Sequence, residues 1–373
     1  MTTQEQLRVT VLYPANLASQ RATPTRARIN IQAVKQNVHW EVVEPTGNLD
    51  SPGTHPDEQN LENPNDITRV RGFLTYTRKA LHRLEAFKPN VVHAITTVAA
   101  LPAVLYKRRY PSIRLVFEMH GLSYFEQQEL QLFKRLGLGL IDYWGARRAD
   151  VIIAMSYTQR DLINRLFRTH PAKVQVLWGP VDLDVFYTKD PSPSPPFIVG
   201  YSGNDLFWQG LETVFDACRL LEPYEDIRFL LMGFPGERYA KLGLRNATFT
   251  GPLSREETPA YLNRCHVLLS PRIAHKATET QYPFKLSAYL ATGRPVIATA
   301  VNDQPVVINQ ANCGVIVPPG NAEALAEAIL GLYRMPESAR LALGRNARSF
   351  AENNLSISHL TEALLRIYMG AAE

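Results

Sequence analysis

No stretch of this chain approaches the roughly 18 uninterrupted apolar residues that a membrane-spanning helix needs. The start, MTTQEQLRVTVLYP, has no basic segment leading into an apolar run, so the chain reads as neither membrane-spanning nor secreted. Cysteine is scarce as well. Cys218, Cys265 and Cys313 are scattered, odd in number and without metal-ligand spacing, which points to reduced cytosolic thiols used for packing. Asp-x-Asp pairs and His/Cys clusters are missing from the segments expected to line a site, so no metal is expected. Stacked-aromatic and zinc-finger patterns are missing too, which removes nucleic acid from the expected partners.

What is present describes a two-domain globular protein. The 373 residues are 45% hydrophobic and 20% charged, too many for one ordinary core. The net charge of +5 is unevenly placed: residues 1–190 carry +6 and residues 191–373 carry −1. The first half is therefore the part expected to meet a negative surface or ligand. Short apolar strands at 8–12, 39–43, 91–95, 114–117, 149–156 and 174–177 alternate with helices, and the alternation resumes at 197–202 after TKDPSPSPP, residues 188–196. Four prolines in nine residues make that segment an extended linker. The expected fold is α/β, with two doubly wound Rossmann-like domains at 1–187 and 197–356 facing a central cleft, and a last helix in 357–373 packing back on the first. Residues 46–66, rich in Gly, Asn, Asp and Pro, read as a surface loop or an active-site flap.

The most informative stretch is Glu279 to Thr299, ETQYPFKLSAYLATGRPVIAT. Pro283 suits a helix start and Gly293 the left-handed residue past its end. Leu286, Tyr289 and Leu290 recur at the spacing of one buried face, and Pro295 leads into a short buried strand. A helix that begins so abruptly leaves the N–H groups of Phe284, Lys285 and Leu286 open, with the Lys285 charge in the same turn. That is an anion seat, unless Lys285 only lies across the helix surface.

The order of motifs resembles the GT-B glycosyltransferases of the retaining family-4 type. The resemblance rests on FEMHG (117–121), ADVIIAMS with VQVLWGPVDLDVF (174–186), VGYSGNDLFWQGLETVFDA (199–217), FLLMGFPG (229–236), TFTGPLSREETPAYLNRCHVLLSP (248–271) and PFKLSAYLATGRPVIAT (283–299). It implies an enzyme that moves a sugar from a nucleotide-diphosphate sugar to a hydroxyl acceptor (glycan, lipid-linked or small molecule), retaining configuration and needing neither cofactor nor metal. By the same resemblance His120 and Lys285 serve catalysis. Gly203, Asn204, Gln209, Gly233, Leu253, Arg272, Glu279, Pro283, Phe284, Lys285 and Leu286 take the donor; Arg26, Arg28, His120 and Gly121 take the acceptor.

Several positions depart from the family pattern. Asn204 and Gln209 stand where the family usually places Arg and Lys, and its two glutamates fall on Thr280 and Ala288, with Glu279 one residue away as a stand-in for the first. The usual N-terminal glycine loop is missing, since Ala15 to Arg26 contains no glycine. These losses admit a second class, a GT-B-like binding or partner subunit with impaired catalysis. Finally, LQLFKRLGLGLIDYWGARR (130–148) with YKRRYPSIR (106–114) reads either as a core helix with solvated charges, which Gly137 and Gly139 weaken, or as an interfacial helix on an anionic membrane. The core reading is preferred. The expected location is cytoplasmic, with the inner face of the membrane as its peripheral extension.

Overall fold

A computed structural model of the chain describes residues 7–17, 22–45, 70–126, 131–191 and 195–370. The expected loop or flap at 46–66 lies outside the described residues. The chain forms two compact units, Met1–Trp178 with Ile357–Glu373, and Gly179–Ser356.

The first unit holds a six-stranded parallel sheet of β1 (Arg8–Leu12), β2 (His39–Val43), β3 (Val91–Ile95), β4 (Arg114–Met119), β5 (Val151–Ala154) and β6 (Val174–Val176), in the order β2-β1-β3-β4-β5-β6. Every residue of β3 and β5 is buried, so helices cover both faces, and the sequence of each is a continuous apolar run interrupted only at His93. Alternate residues build one core: Val92 and Ala94, Leu115, Phe117 and Met119, Ile152 and Ala154 all point into the same cluster. The last helix, Ile357–Met369, belongs to this unit. Arg114 Nε donates to the Ile367 carbonyl at 2.5 Å, and the Tyr368 hydroxyl meets His93 Nδ1 at 2.8 Å inside the sheet's cover.

The second unit repeats the plan with β7 (Phe197–Ser202), β8 (Ile227–Met232), β9 (Ala247–Phe249), β10 (Val267–Ser270), β11 (Val296–Thr299) and β12 (Gly314–Val317), ordered β12-β11-β10-β7-β8-β9 and again all parallel. The chain leaves β7 toward β9 on one side and returns through β10 on the other. The strand order therefore reverses between β7 and β10, the place where open α/β sheets take ligands beyond their strand C-terminal ends.

Three local differences from the sequence reading have physical causes. Residues before the proline-rich segment are bonded into the second unit, so the units divide at Trp178 and Gly179 and not at 187. Val181 N–H donates to Leu355, Asn263 to the Tyr187 carbonyl and Arg348 to the Phe186 carbonyl. A helix occupies Gln304–Ala311, where the sequence reading assigns no element. Its Val306, Val307 and Ile308 are β-branched and mask a helix that Pro305 starts and left-handed Asn312 ends. A further short helix, Lys276–Thr280, begins on a capping box at His275.

Tyr368→Phe removes the only hydroxyl that meets buried His93 Nδ1 among the described residues. The expected cost is about 1–3 kcal/mol, the penalty for stranding a buried polar atom, read as a lower urea midpoint for the transition of the first unit. An unchanged midpoint would show that the contact carries no stability.

Candidate functional site

In the second unit, β7 and β8 end on glycines that touch. Gly233 has φ +105°, and a Cβ there would lie 2.4 Å from the Gly203 carbonyl oxygen; both backbones can approach only because neither carries a side chain. Gly203 N–H donates to Met232, and Gly233 N–H donates to Gly251 at the head of the Gly251-Pro252-Leu253 turn. Leu253 is half-exposed there.

Lys285 closes this row. A Cβ on Gly203 would lie 2.7 Å from Lys285 Nζ, so the ammonium stands directly over the end of β7. It donates to Gln209 Oε1 at 2.8 Å and sits 4.0 Å from the centre of the Tyr201 ring, a cation–π contact. Gln209 Nε2 in turn donates to Asn204 Oδ1 at 3.1 Å, and the Tyr201 hydroxyl donates to the Asn204 carbonyl at 2.7 Å. Gly203, Asn204, Gln209 and Lys285 thus form one connected group. Among the described residues Lys285 meets no carboxylate. Burial pushes its ammonium well below the ordinary lysine range, and the nearby Arg272 charge pushes in the same direction.

The helix Phe284–Ala291 that carries Lys285 is fixed from both ends. Tyr289 accepts from Ser202 N–H at 2.7 Å and donates to the Ser202 carbonyl at 3.1 Å, which pins the helix to the end of β7. Gly293, at φ +64°, terminates it as expected. Pro283 is the residue before the first helical one, and its carbonyl accepts the Leu286 N–H at 2.8 Å. Among the described residues the open first-turn donors are therefore Phe284 and Lys285, not Leu286, whose side chain is core. Arg272 is buried and donates to the Gln281 carbonyl at 2.5 Å, tying down the loop that follows β10. Glu279 is exposed on its short helix, while Thr280 turns inward to the Ala277 carbonyl.

In the first unit, His120 follows β4 directly. Its Nε2 lies 2.6 Å from Glu118 Oε1, and Glu118 is wholly buried. The same carboxylate accepts from Arg26 Nε at 3.2 Å and Asn30 Nδ2 at 2.7 Å, and His93 Nε2 stands 3.2 Å away. Burial pushes the Glu118 carboxyl up, but Arg26, helped by His120 and His93, outweighs it and holds the group well below the usual carboxylate range. With Nε2 on a carboxylate, His120 presents Nδ1 as its remaining polar atom, buried and without a hydrogen-bond partner among the described residues. Gly121 follows, half-buried.

Arg26, expected to face an acceptor, is spent on Glu118 and the Trp178 carbonyl. Arg28 bonds Leu17 and Thr25 within its own segment. Glu118 and His93 escaped the sequence reading, although each is an ionisable residue within an apolar run, a signal that marks a buried network. Among the described residues no three His, Cys, Asp or Glu side chains gather as a metal site.

Comparison with known proteins bears on this geometry. The profile for glycosyl transferases group 1 matches residues 196–335, and that for glycosyltransferase family 4 matches residues 32–185. The chain belongs to these GT-B-fold glycosyltransferases. D-inositol 3-phosphate glycosyltransferase of Mycolicibacterium paratuberculosis is 27% identical over 247 residues, covering 60% of this chain and 53% of that protein. The putative colanic acid biosynthesis glycosyl transferase WcaI of Escherichia coli is 26% identical over 284 residues, covering 66% and 67%. The match thus spans about half the length of the first of these relatives. Among solved structures, sucrose-phosphate synthase of Thermosynechococcus elongatus superposes with a TM-score of 0.78 at 16% identity over 98% of both chains. HepE of Anabaena, in complex with UDP, gives 0.71 at 15% identity over 98% of this chain and 100% of its own. At such identities these two show the fold.

Two outcomes check the site. Glu118→Ala leaves the Arg26 charge buried without its counter-ion and should cost about 3–5 kcal/mol, measured by urea unfolding; a loss below about 1 kcal/mol would mean that Arg26 finds water. Pyrophosphate seated at Lys285 should draw on the charged ammonium. Its affinity is then full below the depressed lysine value and falls as pH rises through it. Calorimetry should therefore show a steeper decline with pH for the native protein than for Lys285→Gln; parallel curves would remove Lys285 from the anion seat.

Proposed function

We propose that the chain transfers a sugar, of the hexosyl type, from a nucleotide-diphosphate sugar to a hydroxyl acceptor, with retention of configuration and without a divalent metal. The observation that carries this reading is the Lys285 ammonium: it stands over Gly203 at the strand-order reversal, depressed by burial and by Arg272, and its partners among the described residues are a neutral amide oxygen and a ring face. A diphosphate would supply the missing negative charge, and Lys285 with the first-turn N–H groups would stabilise that charge as it grows on the departing group. Arg272 adds a second cation, which is the ground for the metal-free reading. The name of the Mycolicibacterium relative and the UDP in the HepE structure agree with a sugar nucleotide as donor. On the acceptor side, His120 would offer Nδ1 while Glu118 and Arg26 hold its ring. The reading further places the protein in glycan biosynthesis in the cytoplasm, in contact with an anionic membrane; among the described residues no helix is long and apolar enough to cross one.

A second reading has its own support. Gln209 already satisfies Lys285, and Asn204, Gln209 and Ala288 supply none of the charges usual at these places, which suits a partner subunit that binds nucleotide without turnover.

A panel of nucleoside-diphosphate sugars, with products read by mass, separates the two. Transfer by the native protein, unchanged by chelator and reduced roughly 10²–10³-fold in Lys285→Ala, is the expected outcome. Turnover abolished by chelator and restored by Mg²⁺ would overturn the metal-free mechanism. Thermal stabilisation by a nucleoside diphosphate with no transfer from any donor would select the partner subunit.

A further inference from the structure

The helix Leu132–Arg148 is built inside out. Its buried residues are Asp142, Gly145 and Ala146, while Leu132, Phe133, Leu136, Leu140, Tyr143 and Trp144 stand outward at 59%, 67%, 56%, 57%, 39% and 47% exposure. The inner face cannot hold larger groups: a Cβ on Gly145 would lie 2.8 Å from the Phe117 ring and 3.0 Å from Ala100. Asp142 is fixed inward, where its carboxylate accepts from the Thr97 hydroxyl at 2.7 Å and from Ser123 N–H at 3.2 Å. The sequence reading that preferred core packing is thus reversed: the period of the apolar residues is that of one face, but the face is the solvent side. Six large apolar side chains exposed along one face of a single helix mark a contact site.

Along its axis the outward face passes from Leu132, Phe133, Leu136 and Leu140 to the edge-to-face pair Tyr143 and Trp144, and then to Arg147 and Arg148, with the Arg148 guanidinium 5.9 Å from the Trp144 ring. Within the helix no acidic residue lies on that face, since its one carboxylate, Asp142, is buried. Aliphatic, then aromatic, then cationic is the layering of a bilayer surface from hydrocarbon to interface to headgroup. The helix's other cations, Lys134 and Arg135, are half-buried at its start. We infer that the outward face of Leu132–Arg148 docks the first unit obliquely on an anionic lipid surface, with the Leu132–Leu140 half deepest and Arg147 and Arg148 on the headgroup phosphates. This gives the membrane contact named under the proposed function its surface, and rests on that reading only for the choice of acceptor side.

Co-sedimentation with phosphatidylcholine vesicles, with and without phosphatidylglycerol, tests it on the full chain. Binding should require the anionic lipid, weaken with added salt, and fall at least about tenfold in Leu136→Ser/Leu140→Ser and again in Arg147→Glu/Arg148→Glu. The vesicle-induced blue shift of tryptophan emission should be lost in Trp144→Phe. These residues are exposed, so the variants should keep the native melting temperature. Sugar transfer to a soluble acceptor and stabilisation by nucleoside diphosphate, measured on the same preparations, should also be unchanged. Absence of binding to anionic vesicles, or equal binding by the variants, overturns the inference. So does a dimer in solution that Leu136→Ser/Leu140→Ser converts to monomer, because the stripe would then face a second copy. Loss of nucleotide response with vesicle binding intact would strike the proposed function alone.

Discussion

Parallel pairing is the constraint from which the rest follows. It sends the C-terminal ends of all strands in a sheet to one edge, where the carbonyls have run out of partners and only turns, glycines and helix starts can follow. Both candidate residue groups occupy such an edge. In the second unit, Gly203 and Gly233 let two strand ends abut, and the helix pinned through Tyr289 to Ser202 brings Lys285 over them. In the first, β4 delivers Glu118 into the core and His120 just past the strand end, close enough for one carboxylate to orient the ring. The sheets fix where these side chains can be, and the local polar networks fix how they point.

Much of this was legible in the sequence because strands buried on both faces leave an unmistakable trace, a short apolar run closed by turn residues. VVHAI and VLLS could hardly be anything else. Gln304–Ala311 was not legible, since Val306, Val307 and Ile308 favour strands and the helix is too short to show a period. The helix at 132–148 teaches a different limit. Periodicity tells which residues share a face but not which way that face looks; here the answer lay in Gly145 and Ala146, whose small size is what the packed side demands. Glu118 was legible in principle, as a charge inside an apolar strand, but beyond adjacent His120 its partners Arg26, Asn30 and His93 come from two other elements, and no linear reading joins them.

The departures from the family pattern acquire a physical meaning. Asn204 and Gln209 do not leave a gap: their amides form a relay that holds Lys285 in place by neutral hydrogen bonds. A neutral partner keeps the ammonium positioned without cancelling its charge, while burial and then the Arg272 charge hold the lysine below its ordinary range. Ala288 supplies no acceptor for a ribose hydroxyl, and exposed Glu279 stands on a separate short helix. The anion seat is therefore the better equipped part of the proposed donor site.

The most direct test of that seat is a structure of the full chain with a nucleoside diphosphate bound. The account predicts phosphate oxygens within hydrogen-bonding distance of Lys285 Nζ and of the Phe284 and Lys285 N–H groups, with the bond from Lys285 to Gln209 released or shared. A nucleotide bound elsewhere, with Lys285 still held by Gln209 and the Tyr201 ring alone, would contradict it.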